Sequence, residues 1–195
     1  MAFWHTGDVE PKRNYRFLVE LGATTDSMGG TQWWAKTCDT PSWDVSEVEH
    51  NFYDNKYYYP GRVSWNEISM TVVDPKATNV VWKLNKTLQK GNYNIKDEAD
   101  VNDAPTSMSK PSMNGALGQV TITVYDAEGN QVEKWTLKNA WLKSAKFGTL
   151  DYSSDELKQV DLTIRYDWCL VQGETGGETI HDNGSAPSGP GTPTI

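Results

Sequence analysis

The sequence predicts a mainly antiparallel β protein with one amphipathic helix. Three observations carry this. Apolar residues recur mostly with period two, in short runs bounded by turn residues. One segment alone, residues 75–90, switches to helical spacing. The aromatic residues are amphipathic, with nine Trp and nine Tyr against four Phe. Such rings are favoured where one end packs and the other meets water or a partner.

The elements follow in order. Tyr15, Phe17, Val19 and Leu21 alternate with Arg16, Leu18 and Glu20, as one face of a strand requires. A Gly- and Ser-rich turn precedes a strand over 33–40 that stops at Pro41. Residues 44–53 and 56–63 flank Asp54-Asn55, a long hairpin with a polar tip. A strand over 65–73 places Ile68, Met70 and Val72 on one face. Asp74-Pro75 then supplies an N-cap and a first-turn proline. Val80, Val81, Leu84 and Leu88 follow at helical spacing and Gly91 is the stop, so one helix is expected over 75–90. Acidic, then Ser-, Met- and Gly-rich residues at 92–118 read as a long surface loop. Residues 119–125 and 131–137 flank the turn 126–130 as a second hairpin, which 141–147 extends. A last strand carries Val160, Leu162, Ile164, Tyr166 and Trp168 on one face.

The chain of 195 residues reads as one folded domain over 1–171, followed by a flexible tail over 172–195. Fifteen of the tail's 24 residues are Gly, Pro, Ser or Thr, and none is basic. No apolar run approaches a membrane span, and the N-terminus shows no signal peptide. The net charge is −8, which argues against a basic groove that grips nucleic acid. Cys38 and Cys169 are too few for a disulfide framework and are expected as buried free thiols.

A search for chemistry returns little. His5, His50 and His181 lack ligand spacing, so no metal site and no cofactor are expected. Phosphate-binding loops and nucleophile elbows are missing. Ser107-Met108-Ser109-Lys110 has the S-x-x-K form of a β-lactamase, but its companion motifs are absent. Glu47 and Glu49 project from one strand face about 7 Å apart, with no pocket in the sequence around them. They read as an acidic surface, and no catalytic residue is assigned.

An ordered set of motifs carries a resemblance. Glu10-Pro11-Lys12-Arg13-Asn14-Tyr15-Arg16-Phe17 opens the fold. Thr40-Pro41-Ser42-Trp43 enters the long hairpin and Tyr58-Tyr59-Pro60-Gly61-Arg62 returns from it. Leu137-Lys138-Asn139-Ala140-Trp141 and Phe147-Gly148-Thr149-Leu150-Asp151-Tyr152 follow, and Leu162-Thr163-Ile164-Arg165-Tyr166-Asp167-Trp168 closes it. Over about residues 10–171 the chain resembles the tail tube protein of contractile-tailed, T-even-like bacteriophages, the marine myovirus members most of all. The loop 92–118 and the tail depart from the shorter members.

The resemblance implies a β-sandwich or barrel with one flanking helix, whose long hairpin joins an inter-subunit lumen barrel. It implies a structural virion protein and no enzyme. Six subunits form a ring, and rings stack into a tube through which DNA passes. The implied partners are the sheath, a baseplate tube initiator, a terminator and a tape-measure protein, with assembly in the host cytoplasm and no membrane binding. Four strands from each of six subunits give a barrel of about 24 strands, roughly 150 Å around and about 48 Å across, with a bore of very roughly 35–40 Å. Residues 1–171 carry −5, or about −30 per hexamer, a charge that repels DNA. Glu47 and Glu49, with Asp161 and Asp167, are the expected lumen acids. Val45, Val48, Phe52, Tyr57, Tyr58 and Tyr59 are the expected inter-subunit contacts. Two other readings fit the same sequence: a tube protein of a bacterial contractile injection system, and, in a different class, a carbohydrate-binding β-sandwich that would remain a monomer.

Overall fold

A computed structural model describes residues 11–22, 31–32, 35–76, 79–93, 107–153, 155–173 and 179–180. The strands are β1 (Phe17–Leu21), β2 (Thr31–Gln32), β3 (Ala35–Cys38), β4 (Trp43–Phe52), β5 (Asn55–Trp65), β6 (Ile68–Val73), β7 (Val120–Tyr125), β8 (Gln131–Lys138), β9 (Trp141–Lys146), β10 (Gln159–Arg165), β11 (Trp168–Gln172) and β12 (Thr179–Ile180). The helices are α1 (Val80–Lys90) and α2 (Lys110–Leu117). All pairing is antiparallel. Two sheets form the body, one in the order β12-β11-β8-β7-β1-β2 and one in the order β3-β6-β10-β9. β4 and β5 make a separate two-stranded ribbon.

The period-two reading of the core holds. Val19 and Leu21, Ile68, Met70 and Val72, Val120 and Ile122, and Val160, Leu162 and Ile164 are all buried in one cluster. Val80 and Leu84 of α1 and Leu117 of α2 join it, and the two helices pack side by side, with α2 against β9.

The structure corrects five expectations. The hairpin turn is Tyr53-Asp54, because Phe52 pairs with Asn55. The helix begins at Val80 rather than residue 75, with Asn79 as its cap. Asp74 still serves it from a distance, since its Oδ1 accepts the Val80 amide at 2.8 Å. The expected loop 92–118 ends in α2, capped by Ser109, with Pro111 in its first turn and Gly118 behind it. β9 does not extend the second hairpin. Asn139, at φ 55, turns the chain so that β9 crosses to the other sheet and pairs with β10; Asn tolerates that left-handed backbone better than most residues. The last strand is in fact two: β10 ends at Arg165, and β11 pairs with β8 in the opposite sheet. Trp168 is therefore half-exposed while Cys169 is buried.

In the expected tail, Thr179 and Ile180 pair with Gln172 and Val171; residues 181–195 lie outside those described. Both cysteines are free thiols, Cys169 buried and Cys38 half-buried. Burial pushes each to about 12, the Asp39 carboxylate adding to it at Cys38. No helix among the described residues is long and apolar enough to cross a membrane.

Candidate functional site

The β4–β5 ribbon is the candidate site. Every residue of β4, and every residue of β5 except Trp65, is exposed. An isolated two-stranded hairpin is marginal in water, yet this one runs 10 and 11 residues a side. Its base explains how it is held. Asp39 N–H donates to the Ser69 carbonyl and Asn66 N–H to the Ser42 carbonyl, both at 2.9 Å. The ribbon thus continues β3 and β6 out of the four-stranded sheet. Trp65 anchors the base, packing on the core and against Tyr166 at 6.0 Å between ring centroids.

Pairing separates the ribbon's two faces. Trp43, Val45, Glu47 and Glu49 lie opposite Trp65, Val63, Pro60 and Tyr58. The other face carries Val48 opposite Tyr59, His50 opposite Tyr57, and Phe52. An extra residue at Gly61-Arg62 makes a bulge, clasped by Ser46, whose Oγ accepts the Arg62 amide at 2.9 Å. A Cβ on Gly61 would stand 2.9 Å from the Ser46 carbonyl oxygen, so this close approach needs glycine.

The comparisons with known proteins speak to this architecture. No family model and no curated protein matches the sequence. Solved structures do. A chain of the anti-feeding prophage baseplate, six-fold symmetrised, superposes with a TM-score of 0.61 at 15% identity, over 85% of this chain and 97% of that one. A chain of the sheath/tube terminator of an extracellular contractile injection system, PVC, gives 0.60 at 16%, over 86% and 100%. A chain of the PVC sheath–tube complex gives 0.56 at 15%, over 89% and 99%. The fold is that of contractile-tail tube components.

On this tube fold the expected site residues divide. Glu47 and Glu49 share one ribbon face with Val45 and Tyr58, and Glu49 is paired with Lys56 at 2.9 Å. Val48, Phe52, Tyr57 and Tyr59 share the other. Asp161 stands apart, on the solvent side of β10, accepting from the Thr71 hydroxyl at 2.8 Å. Asp167 stands apart too. In the turn between β10 and β11 it takes both Lys110 Nζ contacts, at 2.7 and 2.6 Å, and the Asn139 amide at 2.8 Å. It clips α2 to the body of the tube fold. Among the described residues no group of His, Cys, Asp and Glu is disposed to hold a metal ion.

The hydrogen bonds from Lys110, and next from Asn139, hold the Asp167 carboxyl below the usual range. A depressed carboxylate stabilises the fold above its unfolded pKa, and that contribution fades as pH falls through the folded value. Asp167→Asn is therefore expected to lower stability by about 1 kcal/mol at pH 7, small because the Lys110 end is exposed. The gap should narrow as pH falls through the carboxylate range. Urea titrations of both chains at pH 7 and pH 3 measure it, and a gap that is as wide at pH 3 as at pH 7 would refute the assignment.

Proposed function

We propose that this chain is the tail tube subunit of a contractile-tailed bacteriophage, a hexamer whose rings stack into a conduit for DNA. The ribbon carries the reading. It is a long hairpin with both faces and both edges unsatisfied in a single copy, which is what a strand-paired ring would consume. Closing the sheet between neighbours removes the edges. In this reading Val48, Phe52, Tyr57 and Tyr59 pack against the neighbouring subunit, while Glu47 and Glu49, on the opposite face with Val45 and Tyr58, line the lumen. Asp161 and Asp167 keep their partners within the subunit. The tube would sit inside a sheath, grow from a baseplate initiator, end at a terminator and take its length from a tape-measure protein.

The comparison structures favour one second reading, a tube of a contractile injection system, because those proteins come from such systems. Both readings predict rings. Negative-stain electron microscopy with light scattering tests them together. Six-fold rings or hollow tubes are expected, and a monodisperse monomer at every concentration would overturn both and lead to a sugar-binding screen.

The lumen assignment has its own expected result. Wild-type assemblies should ignore duplex DNA at 50 mM salt. Glu47→Lys/Glu49→Lys changes the ring by about 24 charges if six copies close it, so these rings should retain DNA, and 200 mM salt should release it by orders of magnitude. Equal indifference to DNA in both would place the two residues elsewhere.

A further inference from the structure

The two edges of the ribbon are not alike. Phe52 and Asn55 flank a two-residue turn and pair directly, so their amides and carbonyls bond to each other. From there the ladder alternates. His50 with Tyr57, and Val48 with Tyr59, turn their backbone groups inward between the strands. Asn51, Glu49 and Glu47 on β4, and Lys56, Tyr58 and Pro60 on β5, turn theirs out along the two edges. β4 therefore presents an unbroken row of outward amides. The row on β5 breaks at Pro60, which has no N–H. The next residues widen the gap. Gly61 and Arg62 form the bulge, and Ser46 Oγ takes the Arg62 amide at 2.9 Å.

The break sits beside the segment that most needs it. Tyr57, Tyr58 and Tyr59 are all exposed, a run of β-forming aromatics with no charge of its own. Such a run on a free edge is a template for open-ended strand stacking. It is flanked by Lys56 on one side and by Pro60, with Arg62 beyond it, on the other; charges and prolines are the residues that interrupt stacking. The number of usable edges decides how far stacking goes. A ribbon with two adds copies on both sides without limit, whereas a ribbon with one stops at a pair. That pair is itself disfavoured. Full antiparallel overlap of two β4 edges sets Glu49 against its own counterpart, and the Lys56 contact to Glu49 at 2.9 Å offsets only part of the repulsion.

We propose that Pro60 and the bulge beside it guard the free subunit: they close the β5 edge to the ribbon of a second copy, so that exposed ribbons do not stack edge to edge before a ring forms. The guard acts on the chain ahead of assembly, whatever the finished tube conveys. The ring proposed above tolerates the gap, because one missing bond is a small part of a contact that side chains also hold. In a stack of ribbons the ladder is nearly the whole contact, and the gap recurs at every step.

The experiment keeps the full chain at neutral pH, below the concentration at which rings form, and follows it by thioflavin T fluorescence, pelleting and the intermolecular β band in the infrared. Pro60→Thr restores an edge amide at an exposed position, so the monomer's melting temperature should stay within about 2 °C of the wild type. Thioflavin-positive, pelletable material should nevertheless rise about ten-fold or more. Pro60→Thr/Tyr58→Pro moves the gap two residues along the same edge and should return that material to the wild-type level. Pro60→Thr/Tyr58→Thr removes the same ring but leaves the amide, and should not. Pro60→Thr at the wild-type level would overturn the guard. A rise that both Tyr58 variants suppress equally, or that neither suppresses, would overturn the edge as its cause and the inference with it. Rings of the wild type are scored separately, by negative stain at higher concentration; their absence would sink the tube reading and leave the guard to stand on the stacking assay.

Discussion

A chain carrying Val48→Lys and Tyr59→Glu is expected to fold as the wild type does and to form no rings. The two residues are direct cross-strand partners on the aromatic face of the ribbon. They are 60% and 56% exposed in a single copy, so their replacement removes little from the monomer; exposed substitutions cost about 0.5 kcal/mol or less. Opposite charges across one pair also favour the same register. The assembled state differs. If this face packs on a neighbour, each side chain gives up roughly 1.5–3 kcal/mol of burial, and the ring would have to desolvate charge in its place. About 3 kcal/mol per contact is more than a hundred-fold in affinity, and every contact around the ring bears it. Sedimentation velocity across a concentration series reads the result. Rings that persist at wild-type concentration would show that the aromatic face points to solvent.

Ile164→Ala should act in the opposite way, on the fold. Ile164 is fully buried in one of the two central strands of the four-stranded sheet, opposite Ile68 on one side and Leu142 on the other. β10 is hydrogen-bonded along both edges, so the strand cannot shift to fill the space a shorter side chain leaves. Such truncations cost about 2–5 kcal/mol, with the upper part of the range where collapse is prevented. A loss of about 3–4 kcal/mol lowers the melting temperature by roughly 10 °C in a chain of this size. Thermal unfolding followed by circular dichroism, below the assembly concentration, measures it. A loss under about 1 kcal/mol would mean that the sheet relaxes around this position.

What could be read in advance, and what could not, follows from the range of each signal. Strand cores were legible because burial on one face repeats every second residue, and Val160, Leu162 and Ile164 obey that rule to the end of β10. The same rule misled beyond it. Tyr166 is still buried with the core, but Trp168 continues the alternation in sequence only, because the chain passes into the other sheet at Asp167 and leaves it exposed. The interaction that fixes the corner, Lys110 to Asp167, spans 57 residues, and no local pattern announces it.

The start of α1 was misplaced for a different reason. Asp74 has the chemistry of a cap, but the cap is Asn79, whose side chain accepts the Trp82 amide, and Asp74 reaches the Val80 amide from outside the helix. α2 hid in a composition of Ser, Met, Gly and Pro; its signals were Ser109, Pro111 and Gly118, each common in loops as well. At the site, the ribbon's existence was legible and its facing only partly so. Alternation alone could have separated Val45 and Tyr58 from Val48, Phe52, Tyr57 and Tyr59. Which face belongs to which side of an assembly depends on partners that a single chain does not contain.

The ribbon's continuity with β3 and β6 also decides how the molecule bears load. A pull on the tip along the ribbon axis enters β6, which is laced to β3 on one side and to β10 on the other. Antiparallel ladder bonds run across the strands, so this pull shears them all at once, and none can fail alone. A sideways push on the same tip meets only the few bonds at the base, at Asp39 and Asn66, and loads them in succession. The subunit is therefore stiff along the ribbon and compliant across it, like a tent pole in a sleeve: it can be dragged lengthwise without unravelling and can still flex sideways.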